Sequence, residues 1–167
     1  EALGNHSDYL MIMTYDEHYQ DGDPGSVSSL GFAEKSIQYA VSKVPKEKIV
    51  LGIPFYGRIW KDGGGFPQGM GIGNEEVQAL IARYGGKAVF DPNSSTPYAT
   101  ITIRAKDHKP TINGKSIDAG TYTIWFENQQ SIKQKLQLVE KYDIKGTGSW
   151  SLGQETADTW NYYKLWV

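Results

Sequence analysis

Cysteine is absent from the sequence. That excludes a disulfide framework, a thiolate metal site and a cysteine nucleophile, and it fixes the compartment only weakly, since a secreted bacterial protein and a cytosolic one fit equally well. No apolar run approaches the roughly 18 residues that a membrane-spanning helix needs, so no membrane partner is expected. Lysine and arginine number 17 against 19 aspartate and glutamate, for a formal net charge of -2. These charges are mixed along the chain rather than gathered into a basic stripe, and nucleic acid is not an expected partner. His6, His18 and His108 are too far apart for ligand spacing, and no metal is expected. The glycine-rich stretch 61–73 holds a crude Gly-x-Gly-x-Gly but lacks the Lys-Ser/Thr of a phosphate loop, and no cofactor is expected. The amino end, Glu1-Ala2-Leu3, carries neither an initiator methionine nor a signal peptide, so the chain is expected to be a piece of something longer.

What is present is apolar and aromatic. Of 167 residues, 39% are hydrophobic and 13% aromatic, with 11 tyrosines and 5 tryptophans. This is enough for one domain with a sizeable core, and the aromatic content suits carbohydrate binding. Residues 8–19, DYLMIMTYDEHY, organise the rest. An unbroken apolar run leads into Tyr15, Asp16, Glu17, His18 and Tyr19, which predicts a strand buried on both faces that delivers a polar cluster at its carboxyl end. A loop follows over 20–29, then an amphipathic helix over 32–44 with Phe32, Ser36, Tyr39, Ala40 and Val44 on one face. Residues 49–56, IVLGIPFY, read as a second buried strand. Strand, loop, helix and strand make a βαβ unit with parallel pairing.

The rhythm then changes. The glycine-rich loop 61–73 precedes a helix to about Arg83, capped by Asn74 with Glu75 and Glu76 in its first turn and Gly85-Gly86 at its end. Strands are expected over 88–90, 98–105 and 120–126, with the hairpin signal Asn113-Gly114 between the last two. A helix over 131–142 is predicted to bury Ile132, Leu136 and Val139 and to turn Lys133, Lys135, Gln137 and Glu140 outward. A strand over 146–152 ending on Trp150 and a last helix over 156–166 complete the chain.

Asp16 and Glu17 are adjacent carboxylates, but neighbours on a strand face opposite ways, so they cannot bracket one bond. The same alternation separates Tyr15 from Asp16 unless the strand bends at its end. Trp150, after a run of glycine, threonine and serine, is either a filler of a barrel centre or a flat floor for a sugar ring.

The stretches MTYDEHY (13–19), KIVLGIPFYGRIW (48–60), IWFENQQSIKQKLQLVEKY (124–142) and KGTGSWSLGQE (145–155) together resemble glycoside hydrolase family 18. The likeness is closest to its bacterial spore cortex-fragment-lytic and peptidoglycan-directed members. It implies an α/β fold: the carboxyl-terminal portion, about strands six to eight, of a (β/α)8 TIM barrel with a small α+β insertion. Residues 1–60 would hold strands six (about 8–15) and seven (48–56), 61–124 the insertion, and 125–167 a barrel helix, strand eight (145–151) and the last helix.

For the site, the resemblance implies that Tyr15 and Asp16 of the Met-x-Tyr-Asp motif contact the N-acetyl group of the sugar being cleaved. Met13, Tyr56, Arg58, Glu127 and Trp150 would be substrate-binding, with Trp150 the floor beneath that sugar. The family's Asp-x-x-Asp-x-Asp-x-Glu motif, whose glutamate is the general acid, occurs nowhere in these 167 residues. The implied function is therefore that of a fragment, inert alone, of a hydrolase acting on GlcNAc-containing glycan, peptidoglycan or chitin, by a substrate-assisted retaining mechanism. A lectin-like glycan-binding barrel of the same family is the alternative. The expected partners are the amino-terminal half of the barrel or other copies through open barrel edges. The expected setting is secreted, or spore or cell-wall associated, in a bacterium.

Overall fold

A computed structural model describes residues 2–163. A short helix α1 (Ala2–Asn5) precedes strand β1 (Leu10–Met13) and helix α2 (Leu30–Val41). Next come β2 (Ile49–Pro54), β3 (Tyr56–Lys61), β4 (Gln68–Gly73), α3 (Asn74–Tyr84), β5 (Lys87–Asp91), β6 (Thr96–Ile103), β7 (Thr111–Ile112) and β8 (Lys115–Ser116). The chain continues with β9 (Gly120–Trp125), α4 (Gln129–Tyr142) and β10 (Gly146–Trp150). No described helix is long and apolar enough to cross a membrane.

Two sheets carry the molecule. The first is parallel with order β1-β2-β10, and α2 and α4 cover one of its faces. Ile49, Leu51 and Ile53 of β2 point at the helices and meet Ala33, Ile37 and Ala40 of α2 and Ile132, Leu136 and Val139 of α4. The other face carries Met11, Met13, Gly52, Gly148 and Trp150. It is open: Met13 is 70% exposed. The expectation that the first strand is buried on both faces is therefore corrected, because the described helices cover only one face and β1 is an edge of the sheet. Gly52 has to be glycine, since a Cβ there would lie 2.7 Å from the Ile12 carbonyl oxygen and 3.1 Å from the Tyr15 ring.

Helix α2 is capped by Ser29, whose hydroxyl accepts the Phe32 N–H at 3.2 Å. Its buried stripe is Ala33, Ile37 and Ala40; of the predicted face Ala40 and Val44 are buried, but Tyr39 is 69% exposed.

The expected strand 49–56 divides at Phe55. Pro54 ends β2, and Tyr56 opens β3 in the second sheet, while the Phe55 N–H donates to Trp150 O at 2.7 Å and its carbonyl accepts from Asn74 N at 3.0 Å. The second sheet is antiparallel with order β4-β3-β9-β6-β5. Its buried face alternates along β6 through Ala99, Ile101 and Ile103 and packs with Val77 and Leu80 of α3.

Three further expectations change here. Part of the predicted loop 61–73 is strand β4, held to β3. Gly73 rather than Asn74 caps α3, and the Asn74 side-chain oxygen instead accepts the Glu127 N–H at 3.2 Å. Residues 156–163 hold a single 3-10 turn, Thr159–Asn161, and the rest of the predicted last helix, including Trp166, lies outside the described residues. The Asn113-Gly114 signal does form a two-residue turn, with φ of 49° and 75°, joining β7 to β8.

Candidate active site

The carboxyl ends of three parallel strands necessarily lie at one edge of their sheet, and β1, β2 and β10 bring there Tyr15 and Asp16, Tyr56, and Trp150. Beyond β1 the buried Thr14 hydroxyl donates to Gly52 O at 2.7 Å, which ties the strand end to its neighbour. Asp16 then takes a left-handed backbone, φ 60°. This is the bend that alternation demanded, and it lets Tyr15 and Asp16 serve one place.

Asp16 is held from one side. Its Oδ1 accepts from the Tyr56 hydroxyl at 2.6 Å, from Arg58 Nη2 at 2.6 Å and from Arg58 Nε at 3.2 Å. Its Oδ2 has no partner among the described residues. The remaining Arg58 nitrogen, Nη1, donates to Gly69 O of β4 at 2.6 Å. Burial pushes the Tyr56 hydroxyl far above the usual tyrosine range, and its hydrogen bond to Asp16 adds to that.

The Tyr15 ring meets Tyr56 edge-on at 6.1 Å, and its hydroxyl has no partner among the described residues. Burial raises the Tyr15 pKa and the Asp16 charge adds to it, so the phenol is a neutral donor at physiological pH. Trp150, 59% exposed, offers an open aromatic face. Asp16, Tyr56, Arg58 and Trp150 line one cavity of about 600 Å³. Its far wall comes from Gly71 and Gly73 of β4, Glu75, Glu76 and Ala79 of α3, Asn113 of the hairpin tip, and Gln154. Burial also raises the Glu76 carboxyl above the ordinary range. The sequence offered only indirect signals for this wall, in the alternate glycines of 69–73 and in Asn113-Gly114.

Two residues expected at the substrate are not among those that line this cavity, although Met13 shares the open sheet face with Trp150. Met13 borders a separate apolar groove between β1 and α2. Glu127 is 1% exposed and sealed among protein groups: Lys135 Nζ donates to it at 2.8 and 2.9 Å, and the Ser131 hydroxyl at 2.6 Å. Burial pushes its carboxyl up, against the pull of Lys135. Lys135, expected to face outward, is thus fully buried as the partner of a carboxylate eight residues earlier.

Glu17 and His18 also have structural partners. The Glu17 carboxylate accepts the Ser29 N–H at 2.8 Å and its hydroxyl at 3.0 Å, at the start of α2. His18 Nδ1 lies 2.9 Å from Asp23 O.

Residues 1–155 match the model of the family described as glycosyl hydrolases family 18. An uncharacterized glycosylase of Bacillus subtilis, YvbX, is 30% identical over 158 residues, covering 95% of this chain and 42% of that protein. The cortical fragment-lytic enzyme of Bacillus anthracis is 28% identical over 162 residues, covering 96% of this chain and 35% of that protein. Among solved structures, a chitinase from Chromobacterium violaceum superposes with a TM-score of 0.80 at 36% identity, over 96% of this chain and 45% of its own. The chain therefore spans less than half the length of each of these relatives.

Proposed function

Because the chain belongs to family 18 of the glycosyl hydrolases, we propose that it forms about strands six to eight of a (β/α)8 barrel, with residues 61–124 as an insertion that walls the substrate groove. In this reading β1, β2 and β10 are those strands, and the open face of their sheet is turned to the barrel interior. The parent protein hydrolyses β-1,4 linkages next to N-acetylglucosamine in peptidoglycan or chitin. Likeness to the cortical fragment-lytic enzymes supports peptidoglycan and a spore or cell-wall setting in a bacterium.

The observation that carries the reading is that, among the described residues, the Tyr15 hydroxyl and Asp16 Oδ2 have no partner at the strand ends where Trp150 exposes its face. A sugar lying on Trp150 places its acetamide between a neutral O–H donor and a carboxylate acceptor. The acetamide oxygen bonds to the anomeric carbon as the glycosidic oxygen leaves with a proton from a general acid outside these residues. Water then attacks that carbon from the vacated side, giving its proton to the conjugate base of the acid as the acetamide oxygen leaves the carbon, which gives retention. Tyr15 donates to the acetamide oxygen, and Asp16 accepts from its N–H as positive charge develops, so both act where the transition state differs from the ground state.

The test is turnover of chitooligosaccharides and peptidoglycan by the intact polypeptide. Tyr15→Phe is expected to lower kcat about 10²- to 10³-fold with an unchanged unfolding midpoint. Glycan binding without turnover by the unsubstituted protein would instead support the lectin-like reading. Neither binding nor turnover would overturn both.

A further inference from the structure

Arg58 reaches Asp16 with two nitrogens and Gly69 O with the third, so all three guanidinium nitrogens are engaged with protein. We propose that Arg58 is a positioning residue: it fixes which oxygen of Asp16 faces the groove and ties that choice to the insertion strand β4. The inference rests on the glycosidase reading above for its kinetic consequences, though its geometric core does not need it.

Asp16 stands in a backbone conformation that non-glycine residues seldom take, which persists only where the surroundings enforce it. Here the enforcement is lopsided, with three donors on Oδ1 and none on Oδ2 among the described residues. A planar fork holds a carboxylate oxygen and a carbonyl on its opposite edges in one rigid geometry, which the compact ammonium of a lysine does not reproduce.

The anchor is itself fixed. The Asp21 N–H donates to Gln68 O at 2.9 Å, and a Cβ on Gly69, whose φ is 71°, would lie 2.5 Å from Tyr19 O. β4 is thus seated directly beneath the segment that follows Asp16. The bracket runs from β4 through Arg58 to the catalytic carboxylate. Tyr56 contributes the remaining donor.

A double-mutant cycle in the intact protein tests this, with Arg58→Lys, Arg58→Met and Asp16→Asn, read as kcat and KM on chitooligosaccharides. Arg58→Met is expected to lower kcat about 10- to 100-fold with KM within about threefold, as for the loss of a charge-assisted hydrogen bond that matters in the transition state. Arg58→Lys is expected to fall with it rather than rescue it. In the Asp16→Asn background either substitution is expected to cost less than about threefold, because the carboxylate whose second oxygen Arg58 presents to the groove is already gone. Additive losses, or rescue by lysine, would overturn the proposal and make Arg58 a direct ligand or a simple charge.

A crystal structure of Arg58→Lys adds a readout that does not depend on activity. Asp16 is expected to turn so that Oδ1 leaves the Tyr56 hydroxyl or Oδ2 gains a protein partner; an unmoved Asp16 would overturn the proposal even if no glycan were turned over. Should the Arg58 variants fold poorly, Tyr56→Phe removes one donor and leaves the fork intact. It is expected to show the same non-additivity with Asp16→Asn, and independent losses would again overturn the proposal.

Discussion

At Asp16 and at Lys135 single side chains decide more than their positions suggest. Asp16 belongs to a motif that a sequence displays openly, and the need for a bend beside it follows from strand alternation alone. The bend itself, φ 60°, belongs to the three-dimensional surroundings that hold it. Lys135 was legible only as an outward lysine on an amphipathic helix, because its partner Glu127 lies eight residues earlier, before the helix begins, beyond any helical spacing rule. Lys135→Met strands a buried carboxylate and is expected to cost about 3–5 kcal/mol by denaturant unfolding near neutral pH. The pH dependence has a definite sign. Burial raises the folded-state pKa of Glu127, so its contribution to stability is fully present below the unfolded value and is lost as pH rises through the folded one. Without lysine to oppose it the rise is larger. The destabilisation by Lys135→Met should therefore be small in acid and grow toward neutrality, and a pH-independent loss would refute this account.

Elements with a strong period were legible and elements built of glycine were not. Helix α4 follows from Ile132, Leu136 and Val139, and its start is fixed by the reciprocal hydrogen bonds of Asn128 and Ser131, each 3.0 Å. Strand β4 reads as a loop because Gly69, Gly71 and Gly73 occupy alternate positions, yet Gly71 and Gly73 line the groove and Gly69 packs under Tyr19. Gly71 makes a prediction possible. A Cβ on Gly71 would meet nothing within 4 Å, so Gly71→Leu is expected to unfold within about 0.5 kcal/mol of the parent. The added side chain projects into the cavity, and KM for glycan is expected to rise about tenfold or more, equal to roughly 1.4 kcal/mol. Unchanged KM would mean that substrate does not pass along β4. The division at Phe55 escaped the sequence for a related reason, since an apolar run shows that a segment is buried but not that it changes sheets.

At the scale of the molecule, one layer of helices covers one face of a three-stranded parallel sheet whose outer strands, β1 and β10, each have one pairing edge free among the described residues. Free parallel edges and an uncovered face promote association. Under the barrel proposal, residues 1–167 alone are expected to sediment as oligomers and to show no turnover on chitooligosaccharides. A stable monomer with full activity would reject it. The same architecture was readable as a βα rhythm interrupted and resumed; what the rhythm could not supply was the contact between the parts. The interruption leaves β2 through Phe55 and returns to α4 after β9, and Arg58 stands opposite Trp125 in the register of β3 and β9. The two crossings are thus next to each other, as the ends of an exchangeable cassette must be. Under the insertion proposal, an exchange of the groove wall across that seam, taken from Tyr56 rather than from residue 61, is expected to leave the parallel sheet its own core. Such an exchange carries one condition: any replacement has to bring to Asp16 its own arginine, and a carbonyl that holds the arginine.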